Sequence, residues 1–286
     1  MWILFAILSS FGYSFNHIIN KFILEKIDAW KAVFFTSFFV SLVLFFFTLF
    51  SWEFNFSLNL YDFLVLVLGS IVGFFALWTL FKSFEFISVW ESISIANTFP
   101  FIIVLFLFIS YQELISLYEL LWMIVVFLGI VLLVKQNWSF KFSLDTKFAF
   151  ITAIGWGFYN FAIDYFVRGG FDFLQIAFML EVWVFLSSAF YLIFRNMLQK
   201  SDFESFLMDK KLVFFCFLSG LSTAWWTYFT VLAMSYLNAA VVGSIVSTQV
   251  VFAAILAYFI LNEKLNYIKI FAIFIVFIGL IFYNLF

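Results

Sequence analysis

Glu181 stands between Leu180 and Val182, well inside the apolar run Phe173–Phe194. A carboxylate at that depth can carry a proton or pair with a cationic amine, and little else justifies its cost. Three other ionisable groups sit in apolar runs: Asp164 in the last turn of Phe148–Val167, Glu91 near the start of Ser88–Ser110, and His17 beside Asn16 and Asn20. Glu181, His17 and Asp164 are the candidates for coupling to an ion. Glu91 and Asp164 equally suit interfacial charges that reach the headgroups, and His17 a hydrogen-bonded structural role. Hydroxyls add a pattern. Glu91, Ser94 and Thr98 recur at i, i+3 and i+7, one face of a helix. Ser244 and Thr248 occupy the corresponding face of Ala239–Leu261, with Ser247 and Gln249 beside them. Trp78 and Tyr228 offer rings with a polar handle. Trp78, Glu91, Ser94, Thr98, Glu181, Tyr228, Ser244 and Thr248 are therefore the candidate substrate-binding residues. Helix–helix hydrogen bonding and packing compete for each hydroxyl and ring.

What is missing narrows the chemistry. The chain has one cysteine, Cys216, and one histidine. Neither an internal disulfide nor a Cys/His metal site can be built from them. No Walker-type phosphate loop is present. Scattered acids and a single histidine do not make a catalytic set, so no enzyme activity, metal or cofactor is expected. The 51 phenylalanines occur in every apolar run and read as composition rather than as a binding device.

The elements that must position these residues follow from composition. Of 286 residues, 67% are hydrophobic, with 14 Lys and Arg against 16 Asp and Glu. So few charges cannot cover so large an apolar surface in water. A soluble enzyme is excluded, and a net charge of -2 offers no footprint for nucleic acid. The chain reads as an all-α integral membrane protein. With about 20 apolar residues per crossing, ten spans are expected: Trp2–Asn20, Ala32–Ser51, Phe63–Phe81, Ser88–Ser110, Leu117–Val134, Phe148–Val167, Phe173–Phe194, Leu212–Tyr236, Ala239–Leu261 and Tyr267–Leu285. The first lacks a basic leader and reads as a retained span rather than a signal peptide. Pro100 should loosen the fourth span and free a carbonyl.

The sequence also repeats. A shift of 150 places Ser94 on Ser244, Thr98 on Thr248, Glu113 on Glu263, Gly129 on Gly279 and Trp78 on Tyr228. A shift of 145 places Gly12 on Gly157, each after an aromatic residue. Residues 1–140 and 141–286 are thus expected to be two five-helix repeats. Five is odd, so the second copy enters from the opposite side, which is the inverted-repeat plan of secondary transporters.

Trp156-Gly157, Pro100, and the two endings Gln112-Glu113-Leu114 through Gly129 and Asn262-Glu263-Lys264 through Gly279 resemble the drug/metabolite transporter superfamily, specifically its ten-helix EamA-type branch. Gln112 and Asn262 stand where that family often has glycine, and Val250 replaces a second proline. The resemblance implies export or exchange of small metabolites, often amino acids, without ATP hydrolysis. The expected function is secondary active transport of a small polar metabolite, such as an amino acid or amine, by alternating access. A lipid-handling or non-transporting protein of the same fold is the alternative. The expected partners are a small-molecule substrate and the lipid bilayer of the plasma membrane, with the chain a monomer or homodimer.

Charge sets an orientation. With ten spans, Arg168 is alone on the side of both termini, and the other thirteen Lys and Arg lie opposite. The positive-inside rule puts the thirteen in the cytoplasm and both termini outside. Members of the resembled family more commonly keep their termini inside.

Overall fold

The computed structural model describes residues 2–51, 58–114, 116–134, 146–199, 208–260 and 267–285. Among them are twelve helices and no strand: α1 (Trp2–Leu24), α2 (Ala29–Ser51), α3 (Leu60–Ser83), α4 (Val89–Ala96), α5 (Phe99–Tyr111), α6 (Leu117–Val134), α7 (Lys147–Arg168), α8 (Phe173–Gln199), α9 (Lys210–Met234), α10 (Ala239–Val246), α11 (Gln249–Ile260) and α12 (Tyr267–Leu285). Asn262, Glu263, Lys264, Lys135, Lys141 and Lys200 lie outside the described residues. Local chemistry sets several ends. Asn59 and Asp62 form a reciprocal capping box at the start of α3, and Asp209 and Asn238 cap α9 and α10. Asn238 also settles the tight joint after Tyr236: α9 and α10 are separate helices.

The distribution of polarity is inverted relative to a soluble protein. Helix α1 buries Ser9, Ser10, Ser14, Asn16, His17 and Asn20, none more than 1% exposed. Phe190, Ile193, Phe214 and Phe271 face outward, each more than half exposed. Apolar surface on this scale needs a lipid solvent. Seven helical segments are long and apolar enough to cross a membrane among the described residues.

Packing is two-fold related. Helices α1 and α9 pack together as α7 and α3 do; α2 lies on α9 as α8 lies on α3; α11 lies on α1 as α5 lies on α7. The pairs α2·α8 and α6·α12 relate to themselves. The seams differ in chemistry. Asn16 Nδ2 donates to Ser219 and Thr223 across α1·α9. The α3·α7 seam relies on small residues, with Gly155 against Ala76 and Gly69 against Ala162.

Two expected spans are not single helices. The fourth breaks between α4 and α5, the ninth between α10 and α11. The breaks fall at Asn97-Thr98 and Ser247-Thr248, related by the same shift of 150. Pro100 accounts for the first, since it cannot donate to the preceding turn. The second has Val250 in that place, and hydroxyls do the work instead. Ser10 Oγ lies 3.2 Å from the Ile245 carbonyl and 3.3 Å from that of Val246, and Ser14 donates to the Gln249 carbonyl at 2.7 Å. The interrupted backbone is satisfied by protein, as membrane depth requires.

Candidate functional site

The two breaks touch. Ser247 Oγ donates to the Asn97 carbonyl at 3.2 Å, and Gln249 Nε2 donates to Asn97 Oδ1 at 2.7 Å. Gln249 Oε1 in turn lies 3.2 Å from His17 Nε2. Asn97, Gln249 and His17 are all buried. The His17 ring lies against Tyr13, with centroids 4.2 Å apart, and Tyr13 stacks on Trp226 at 4.3 Å. Trp156 completes this wall, 5.3 Å from Tyr13 and 6.0 Å from Phe99.

Glu181 lies on α8. Its Oε1 accepts hydrogen bonds from Tyr159 Oη and Thr227 Oγ1, both at 3.0 Å. The backbone of α8 is held at the same level: Ser41 donates to the Glu181 carbonyl and Ser70 to that of Leu180, each at 3.1 Å. Hydrogen bonds from α7 and α9 thus converge on one carboxylate of α8 that is 5% exposed, while α2 and α3 hold the backbone beside it. Among the described residues no ion pair reaches it. On the same helices, though not at the carboxylate, Ser37 Oγ, Trp78 Nε1 and Trp226 Nε1 are buried with no partner among the described residues. A carboxylate held by two hydroxyls can accept a proton or an ammonium, and spare donors suit a polar solute. Among the described residues no group of three or more His, Cys, Asp or Glu is placed to hold a metal.

The other candidates disperse. Glu91 sits in the first turn of α4, half-buried, with Ser88 Oγ 3.5 Å from its carboxylate. Ser94 is fully buried in α4, and the break separates it from Thr98, which precedes α5. Their expected common face is therefore interrupted. Ser244 bonds back to the Ala240 carbonyl and borders a small cavity with Asn97, Pro100 and Ser247. Thr248 donates to Ser10 Oγ at 3.1 Å. Trp78 stacks on Trp30, 4.0 Å between centroids, and Trp30 on Tyr191 at 3.8 Å. Tyr228 occupies the related position at the other end, edge-on to Phe173 at 5.5 Å and Phe47 at 6.5 Å. Asp164 is paired with Arg168 at 2.6 Å, and Arg168 also binds Glu113 at 2.7 Å. Glu113 accepts from Asn238 at 2.9 Å, so one knot joins the end of α5, the end of α7 and the start of α10.

Tyr13, Tyr159, Thr227 and Asn97 carry much of this site and were not singled out from the sequence. Tyrosines and threonines are scattered through the apolar runs, and only the fold tells which of them meet Glu181. Asn97 had a usable signal: it lies 150 residues before Ser247 and three before Pro100.

Comparison with known proteins agrees with this architecture. A crystal structure of another protein superposes on 99% of this chain and 95% of its own, with a TM-score of 0.73 at 15% identity, a likeness of fold alone. Comparison with curated proteins finds no match. The sequence model of the EamA-like transporter family matches residues 1–135 and again residues 146–285. The chain therefore belongs to the EamA-like transporter family, within the drug/metabolite transporter superfamily, and is a multi-pass membrane protein.

Proposed function

We propose that this protein is a secondary active transporter, an exporter or exchanger of a small polar metabolite bearing an amine, such as an amino acid or an amine. Twelve helices make ten crossings, with α4–α5 and α10–α11 each a broken one. Residues 1–140 and 141–286 form the two inverted repeats, and exchange of their conformations gives alternating access. The reading is carried by Glu181, a buried carboxylate at the junction of the related halves, neutralised by no Lys or Arg among the described residues. An ammonium supplies the missing charge. Paired helix breaks at mid-chain depth support the same reading, because broken helices are where such transporters build sites. The proposal also includes the plasma membrane as location and, from the Lys and Arg distribution, both termini outside.

Purified protein in liposomes tests this. Wild type should show saturable uptake or counterflow for at least one amine-bearing member of a panel of amino acids and amines. Glu181→Gln keeps size and hydrogen bonding and removes the charge. It should weaken binding of amine solutes about tenfold or more, and leave neutral analogues unaffected, since hydrogen bonds to charged groups contribute roughly 1.5–3 kcal/mol. Wild-type flux and affinity in the folded variant would return Glu181 to a structural role.

A further inference from the structure

His17 is the only histidine in the chain, and a chain of amides fixes which of its nitrogens is protonated. The anchor is the Ile93 carbonyl. It can only accept, and it accepts from Asn97 Nδ2 at 2.7 Å. The orientation of Asn97 follows, so Asn97 Oδ1 faces Gln249 and must receive Gln249 Nε2, 2.7 Å away. Gln249 Oε1 is then the atom turned to His17, and an amide oxygen can only accept. His17 Nε2 must carry the proton in that bond. The neutral ring is left with a bare lone pair on Nδ1, because the tautomer is set by the bond the other nitrogen makes.

That lone pair is buried and has no hydrogen-bond partner among the described residues. The ring itself is fully buried among Tyr13, Trp156 and Phe84. A buried acceptor left empty is costly, and such groups are rare enough to call for a ligand. The Tyr13 ring, one turn earlier on α1, lies against His17.

We propose that His17 is a solute-contacting acceptor: the Asn97–Gln249 relay holds its proton on Nε2, and Nδ1 receives an N–H of the solute's ammonium. This rests on the amine reading of the Glu181 site. Glu181 supplies charge, which any organic cation satisfies. His17 supplies a directed acceptor, which only a cation with an N–H can use. The pair therefore selects primary or secondary amines over quaternary ammonium ions. The relay spans both helix breaks, so Asn97 and Gln249 are positioning residues whose geometry depends on how the two halves meet.

A single histidine makes the test direct, because ring-15N-labelled protein gives one pair of lines. In wild type, Nε2 should show the protonated, pyrrole-like signal and Nδ1 the bare, pyridine-like one. The reverse assignment overturns the relay without any variant. Gln249→Leu and Asn97→Leu should each mix the tautomers. Asn97→Asp still accepts from Gln249 and should preserve them. Benzylamine and benzyltrimethylammonium then serve as probes, sharing an aromatic body and a charge and differing in N–H donors. Benzylamine should move the Nδ1 line and bind about tenfold more tightly, the scale of one hydrogen bond, and His17→Phe should abolish that preference. Equal binding with a stationary Nδ1 line overturns the role of His17 and leaves the Glu181 reading standing. If neither cation binds, the amine reading falls and the solute role of His17 with it. Protonation of Nδ1 between pH 8 and 5.5 without any amine would make its ligand a proton, and would also overturn the proposal; Tyr13 is the titratable group that would then face the new charge.

Discussion

Gln112 ends α5 with φ of 54°, the one non-glycine residue at positive φ among the described residues. A left-handed residue at this position lets the Gln112 N–H close on the Phe108 carbonyl at 2.9 Å and stops the helix. A side chain there crowds its own backbone, and glycine does not. This gives a physical reason for the glycine that related transporters often place here. Gln112→Gly should therefore stabilise the protein by about 0.5–1 kcal/mol, the strain relieved less the entropy glycine adds to the unfolded chain. Thermal unfolding in detergent should shift upward by roughly 1–3 °C, and Gln112→Val should shift it downward; a drop in the glycine variant would remove the strain argument. The surroundings of Glu181 show what a sequence can and cannot disclose at this scale. A carboxylate inside an apolar run is visible at once. Its donors are not, because Tyr159 and Thr227 lie 22 and 46 residues away on other helices. Asp164 illustrates the converse: Arg168 one turn later was in plain view, and pairs with it.

Helices transmit these contacts through their small residues. Gly73 on α3 faces Tyr159 so closely that an added Cβ would sit 2.5 Å from Tyr159 Cδ2. The ring edge is not a flexible tip, so it must shift, and the Tyr159 hydroxyl shifts with it, away from Glu181. Gly73→Ala should therefore reproduce part of the loss expected of Tyr159→Phe, which removes that donor: weaker amine binding, with overpacking costing about 1–3 kcal/mol of stability. Combining the two changes should add little to the binding loss, since both remove one donor. Full additivity in titrations with an amine solute would mean that Gly73 acts by another route. Element boundaries were largely legible, because runs of apolar residues end at charged or capping residues. The helix breaks were legible only in part. Pro100 announces the first. Nothing in Val250 announces the second, where Ser10 and Ser14, on a helix more than 230 residues earlier in sequence, bond to the carbonyls of Ile245 and Gln249. The repeat was the better guide, because an interruption in one copy implies one in the other.

At the scale of the whole molecule, the described contacts sort the loops into two ends. Asp62 meets Tyr165, and Glu113 joins Arg168 to Asn238. These residues belong to the ends of α3, α5, α7 and α10, and Trp2 stacks on Tyr236 in the adjoining segment before α10. At the other end Arg195 pairs with Asp28, and Lys21 donates to the Phe84 carbonyl. This is the partition that ten crossings require. The lone cation of the first end is also electrically spent, since Arg168 binds two carboxylates, Asp164 and Glu113. With ten crossings, the sequence puts the thirteen remaining Lys and Arg at the other end. In short loops that bias sets orientation. Both termini should face away from the cytoplasm. Alkaline phosphatase fused after Phe286 should be active and a cytoplasm-dependent fluorescent protein dark. A second fusion in the segment between α8 and α9 should give the opposite pattern. If the C-terminal fusion is fluorescent and the α8–α9 fusion is active as phosphatase, the ten crossings survive and the orientation is reversed. If both fusions report the same side, the number of crossings between them is wrong, and the inverted-repeat mechanism loses its geometric basis.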